Sequence, residues 1–262
     1  MPLRTVAAAP IDAGGVQLKL LGGFSLACNG VEADLPLPAQ RLVAFLALQE
    51  HPLLRLYVAG VLWPDGSEKR SYANLRSALW RLRKVGRDVV EAKTAHLRLA
   101  SDVAVDVHEA VATARALLNG HPPAGPVDPG LLAAELLPDW YDDWAADERE
   151  RLRELSLRAL EAHVDRLTCD GSFGQAAEAG LAALRSDPLR ESANRALIRV
   201  FLAEGNSAEA VRRYRRFSHL LERELGIEPS IQMQELFVDL PTRFKGRRGS
   251  SRSHGRRSRR WP

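Results

Sequence analysis

From Val16 the chain alternates apolar and polar residues in short runs, VQLKLLGGFSLACNG, broken by Gly22-Gly23 and closed by Asn29-Gly30. A period of two between turn residues predicts two short antiparallel strands, then a third in VEADLPL that ends at Pro36 and Pro38. The Gly-Gly pair reads as a strand bulge or turn, not as a phosphate-binding loop. The period then changes. AQRLVAFLALQEH (39–51) puts Leu42, Phe45, Leu46 and Leu48 on one broad apolar side, which predicts a helix stopped by Pro52. LRLYVAGVLW (54–63) predicts a short second helix with Leu56, Val58, Ala59 and Leu62 inward, closed by the turn WPDG. A third helix is predicted from the N-cap Ser67, with Glu68 in its first turn, to about Val85, where Gly86 supplies the C′ position. VVEA (89–92) and HLRLA (96–100) read as a hairpin turning at Lys93–Ala95. VAVDV follows, and Asp106 with Glu109 forms a capping-box pattern for a helix over 107–119.

A Gly/Pro-rich link, NGHPPAGPVDPG (119–130), separates this region from a second half that reads as almost wholly helical. That half contains a repeat of 34 residues: Gly171 and Ala176 recur as Gly205 and Ala210, Gly180 corresponds to Tyr214, and Ala183 to Phe217. Gly for the turn and Ala for close helix contact at this period are what tetratricopeptide stacking requires. Pro188 closes the first copy, the second runs on into LLERELG, and Asn206 with Glu209 forms a capping box at the start of its second helix.

The third helix has two distinct sides. Leu75, Ala78, Leu79, Leu82 and Val85 fall together and must pack on the first two helices. Arg70, Asn74, Ser77, Arg81 and Lys84 fall opposite, flanked by Lys69, Arg76 and Arg83. From Gly66 to Arg87 there are seven basic residues and one acid, Glu68. A solvated helix gains from interspersed signs at i,i+4, so this imbalance favours an anionic partner over a merely solvated basic face.

Context narrows the partner. A helix, a short turn and then a basic helix form a helix-turn-helix order, whose second helix enters the major groove of DNA. The hairpin that follows would be a wing, with Lys93, Thr94, His96 and Arg98 near its tip. Arg is suited to guanine edges and Asn to adenine, while the remaining cations hold phosphates and fix register. Trp80 reads as packing against the wing in preference to stacking on bases, and Trp63, just before the turn, reads as core.

These features resemble a known family. The strands, then LWPD, ANLRSALWRLRK and a hairpin ending in VAVDV resemble the OmpR-type winged-helix DNA-binding domain of the SARP family (Streptomyces antibiotic regulatory proteins). In the second half, WYDDW, ERERLRELSLRALEAH, SDPLRE and YRRF with LERELGIEPS resemble the bacterial transcriptional activation domain that follows it in that family. The resemblance runs from about Val16 to Leu240, and several motifs in the right order make it specific. It implies an α+β winged helix-turn-helix over 16–106 and tetratricopeptide-like helices over 107–240. These would be bracketed by a flexible 1–15 and a disordered basic tail over 241–262. It further implies an activator, typically of pathway-specific biosynthetic genes, that binds direct repeats in double-stranded promoter DNA near the −35 element. Such an activator recruits RNA polymerase holoenzyme as a homodimer or side-by-side pair. OmpR relatives carry a phosphoacceptor receiver domain, for which there is no room before Val16, so a small stand-alone form is expected.

Charge and the remaining chemistry refine this picture. The net charge of +4 is carried by the tail: nine Lys and Arg lie after Pro241 with no acid. Removing those nine from the 37 leaves 28 basic against 33 acidic residues, a body charge of −5. The tail is then either a solvated extension or a source of nonspecific phosphate contacts. No apolar run reaches the roughly 18 residues of a membrane span, and the N-terminus has no apolar signal region. Cys28 and Cys169 lack metal spacing and read as reduced thiols of a cytoplasmic, nucleoid-associated protein. The histidines show no zinc pattern, the acids Asp139, Asp142, Asp143, Asp147 and Glu148 read as a solvated helix start, and no serine sits in a nucleophile elbow. The expectation is therefore no enzyme, no cofactor, no metal and no membrane partner. The different-class alternative is a helical-repeat adaptor whose winged helix binds protein.

Overall fold

Strand β1 (Val16–Lys19) buries Val16 and Leu18 and turns Lys19 to solvent, the period-two signature of a half-wet strand. The computed structural model describes residues 15–85, 88–121 and 123–237; the expectations for residues 1–14, Gly86 and the basic tail lie outside them. β1 pairs antiparallel with β2 (Ser25–Cys28) across a turn in which Gly22 and Gly23 hold φ of 77° and 141°, values that side-chain-bearing residues rarely adopt. β3 (Val31–Glu32) is only two residues long, shorter than its sequence pattern implies. Leu35 leaves the sheet to bury itself, and Pro36 caps the next helix, so the ladder has nothing more to pair.

Helix α1 (Leu37–Ala47) begins before the expected Ala39, because Pro38 sits in the first turn, where a missing N–H costs nothing. It also stops short of His51: His108 Nε2 donates to the Ala47 carbonyl at 2.7 Å, satisfying one of the orphaned acceptors. The chain then extends as β4 (Leu53–Leu54), a strand absent from the sequence reading, before α2 (Arg55–Leu62). Val58, Ala59 and Leu62 are buried as expected, but Leu56 is exposed. Two residues before Val58, it lies on the far side of the helix. Helix α3 (Glu68–Leu82) follows and ends in a 3₁₀ turn at Arg83–Val85. The hairpin β5 (Val90–Lys93) and β6 (His96–Leu99) pairs with β4 into a second sheet of order β4-β6-β5. β7 (Val103–Val105) then returns parallel to β1, giving the first sheet the order β3-β2-β1-β7.

Helix α4 (Asp106–Leu118) starts without the expected capping box. The Asp106 carboxylate is taken instead by three backbone donors, Leu20 N–H at 2.9 Å, Leu21 N–H at 3.0 Å and Val107 N–H at 2.8 Å. It thus fastens the end of β1 to the start of α4.

The remainder is helical: α5 (Pro129–Ala133), α6 (Asp143–Cys169), α7 (Phe173–Ser186), α8 (Glu191–Ala203), α9 (Ser207–Leu225) and α10 (Ile231–Glu235). α6 and α8 end 34 residues apart, and α7 and α9 begin 34 residues apart. Gly171 and Gly205 hold φ of 73° and 83° at the equivalent turns, and Ala176 and Ala210 are fully buried. Asn206 forms half of its capping box by accepting from Glu209 N–H at 3.4 Å, while the Glu209 carboxylate pairs with Arg212. Gly180 lets α7 lie against α8: a Cβ there would stand 3.2 Å from Leu197 Cδ1 and 3.4 Å from its Cβ. Gly180→Val is expected to destabilise the protein by about 2 kcal/mol through overpacking, read as a lower urea midpoint.

The N-terminal core extends into the second half. Leu136, Leu137 and Leu152 join the N-terminal cluster of Leu18, Leu42, Phe45 and Leu62. Gly22 N–H donates to Glu135 O at 2.7 Å and Leu137 N–H to Leu20 O at 2.9 Å, adding this segment to the end of the first sheet. Trp140 stacks on Phe24 with centroids 6.0 Å apart, Trp144 meets Phe45 edge-on at 5.2 Å, and Asp142 forms an ion pair with Arg41. Asp142 and Asp143 of the acidic run do open a helix, α6, but Asp142 serves the seam between the halves.

Candidate nucleic-acid interface

The turn before α3 is set by residues of two kinds. Ser67 occupies the N-cap position, yet its hydroxyl makes no capping bond. Ser71, one turn on and 4% exposed, donates its hydroxyl to Trp63 O at 2.8 Å and ties α3 to the end of α2. A Cβ on Gly66 would lie 3.0 Å from that hydroxyl, so glycine is needed for the close approach. Trp63 packs partly buried against the core, in agreement with its sequence reading.

α3 buries Ser71, Leu75, Ala78 and Leu82, with Leu79 partly buried. Arg70, Arg76, Ser77, Arg81, Arg83 and Lys84 are exposed, as is Lys69, and Asn74 is half-buried. Among the described residues no carboxylate forms an ion pair with any of these six Arg and Lys side chains. At 100° per residue, the line opposite the buried side runs through Ala73 and Trp80, with Lys69 and Ser77 to either side, and Lys84 follows in the 3₁₀ turn. The expected row Arg70–Asn74–Ser77–Arg81–Lys84 is therefore displaced to one shoulder for most of its length. Asn74 and Arg70 on that shoulder line a cleft with Asp65, Tyr141 and Asp142. Lys69, Arg76 and Arg83 form the other shoulder, and Arg83 also lines the groove between α3 and the hairpin, with Arg55 and Asp88. The Ser77 hydroxyl donates back to Ala73 O at 3.0 Å, which occupies the proton expected to face the groove.

Trp80 corrects the sequence reading most. Its side chain is 54% exposed, and its ring neighbours are cations of its own helix, Lys84 Nζ at 3.6 Å and Arg81 Cζ at 5.5 Å from the centroid. Leu79 and Leu82, not Trp80, face the hairpin.

The hairpin is held along its β6 edge and at its turn. Leu53 pairs with Leu97, Leu54 with His96, and Arg55 N–H donates to Ala95 O at 2.8 Å, so the loop is joined to the start of α2. Lys93, Thr94 and His96 are exposed at the tip, where Thr94 takes a φ of 26°. Arg98 differs: its Nε and Nη2 donate to the Glu91 carboxylate directly across the hairpin, at 2.9 and 3.0 Å. Its charge is matched within the protein, and it braces the hairpin. Among the described residues no group of three His, Cys, Asp or Glu could hold a metal ion, and no helix is long and apolar enough to cross a membrane.

Known proteins give the class of the chain. The family described as bacterial transcriptional activator domain matches residues 88–240, more than half of the chain, and the class is thereby that of a transcription regulator. The chain belongs to the bacterial transcriptional activator domain family and is of the SARP type. It is similar to "Regulatory protein AfsR" of Streptomyces griseus, 28% identical over 264 residues covering 90% of this chain and 26% of that protein. The protein of the same name from Streptomyces coelicolor is 29% identical over 245 residues, covering 86% of this chain and 24% of that protein. The chain thus spans about a quarter of the length of the curated relatives it matches. The solved structure of Mycobacterium tuberculosis EmbR in complex with a low affinity phosphopeptide shares the fold, with TM-score 0.59 and 21% identity over 84% of this chain and 63% of that one.

Proposed function

We propose that residues 16–106 are a winged helix-turn-helix that binds double-stranded promoter DNA. Helix α3 lies in the major groove, and the β5–β6 hairpin is the wing. One observation carries this reading: α3 presents an exposed face of cations with no carboxylate partner, between a tight turn and a hairpin with an exposed Lys93 at its tip. A face of that kind is favourable against a phosphate backbone and self-repelling without one. Residues 107–240, with tetratricopeptide-type packing, support side-by-side binding of two chains on direct repeats near the −35 element and contact RNA polymerase holoenzyme. The target genes are pathway-specific biosynthetic genes, the site of action is the cytoplasmic nucleoid, and the tail after 240 adds nonspecific phosphate contacts. The protein acts as a regulator and performs no catalysis.

The test is binding of promoter fragments by fluorescence anisotropy at several salt concentrations. Arg81→Ala is expected to lower sequence-specific affinity about tenfold, from loss of one groove contact. If Arg81→Ala and Asn74→Ala both leave that affinity untouched, α3 does not read the groove, and the adaptor function becomes the better account.

A further inference from the structure

The outward line of α3 is not cationic along its middle. Ala73 offers a methyl, Ser77 has committed its proton to Ala73 O at 3.0 Å, and Trp80 presents a largely exposed indole. Cations flank this line on both shoulders, Arg70 and Arg81 on one, Lys69, Arg76 and Arg83 on the other. Lys84 Nζ lies over one face of the indole, 3.6 Å from its centroid. In a helix seated in a groove, shoulder residues meet the phosphate walls and the midline meets the base edges on the floor. The apolar group exposed on that floor is the thymine 5-methyl.

We propose that Trp80 is a specificity-determining residue that contacts thymine methyl groups on the floor of the major groove. The proposal rests on the DNA-binding reading above. The indole stands out from the protein with Lys84 over one face, and its remaining exposed apolar surface is covered when a base edge meets it. The flanking cations supply most of the affinity, and Trp80 adds a preference for thymine.

The probe is a set of duplexes enriched by the wild-type full chain from a random 30-base-pair pool, remade with each thymine replaced in turn by uracil, which removes only the methyl. Wild type is expected to lose roughly fourfold in affinity at one or two positions, the value of one buried methyl-sized group. Trp80→Ala should bind the thymine duplex about tenfold more weakly and no longer distinguish thymine from uracil at those positions, a loss scaled to burying part of an aromatic ring. Its salt dependence should stay that of wild type, whereas Lys84→Ala should lower the slope by about one. Trp80→Phe should keep part of the discrimination, and unchanged thermal midpoints for both variants identify the effect as one on recognition. Uracil discrimination that survives in Trp80→Ala, or that wild type never shows, overturns the assignment of Trp80 while the DNA-binding reading stands. A pool from which nothing is enriched overturns both.

Discussion

Arg76→Glu combined with Lys84→Glu is expected to lower affinity for an enriched duplex by about a thousandfold, from reversing two cations that meet the DNA, at roughly 2 kcal/mol each. Both side chains are exposed, and neither forms an ion pair among the described residues, so their reversal breaks no internal contact with a carboxylate. What changes is the sign of the face. Arg76 lies on the shoulder beside the wing and Lys84 at the C-terminal end of the midline, where a carboxylate meets the polyanion instead of releasing its counterions. The slope of log affinity against log salt should fall by about two. The measurement is anisotropy at fixed salt together with a thermal melt. A loss smaller than about tenfold with an unchanged melt, against that expectation, would place the DNA contact on another surface.

The second large effect is on stability. Asp106→Ala should cost about 3 kcal/mol, because it leaves the N–H groups of Leu20 and Leu21 unbonded where β1 runs out of ladder partners. Leu20 is fully buried, so water cannot readily replace the carboxylate. Asp106→Asn, which keeps one carbonyl acceptor, should recover part of the loss. Guanidinium unfolding of the three proteins measures this, and an alanine variant within 1 kcal/mol of wild type would mean the two amides find other acceptors. Because Asp106 joins the first sheet to α4, the loss should be shared by both halves in one transition.

Much of this architecture is legible in the residues because it depends on local periodicity. The alternation in VQLK gives β1, the spacing of Leu75, Ala78 and Leu82 gives the buried side of α3, and Gly171 and Gly205 mark equivalent turns. What is not legible depends on partners distant in sequence. β4 exists only because Leu53 and Leu54 meet the hairpin over forty residues on, and α1 ends early where His108 reaches Ala47. Asp106 carries a capping-box signature, yet two amides of β1 compete successfully for its carboxylate. At the candidate site the set of cations is readable, but the exact aim of the face is not. Packing of Trp80 against the wing is what burial of large apolar groups predicts, a rule that does not hold in reverse for every surface indole. The pairing of Arg98 is hidden for another reason: its cross-strand partner Glu91 is fixed by hairpin register, which composition does not reveal.

The seam through Leu136, Trp140, Asp142 and Trp144 gives the promoter a geometric reading. A β-bridge, two backbone hydrogen bonds, ring contacts and an ion pair leave the helical half little freedom to swivel on the half that carries α3. B-DNA turns once in about 10.5 base pairs. Moving the bound site by roughly half that distance carries the helical half to the opposite side of the duplex. Under the proposed function, the rotational phase of the operator relative to the start site would itself be regulatory information: sites of equal affinity would differ in output by the side of the double helix from which they present the activator.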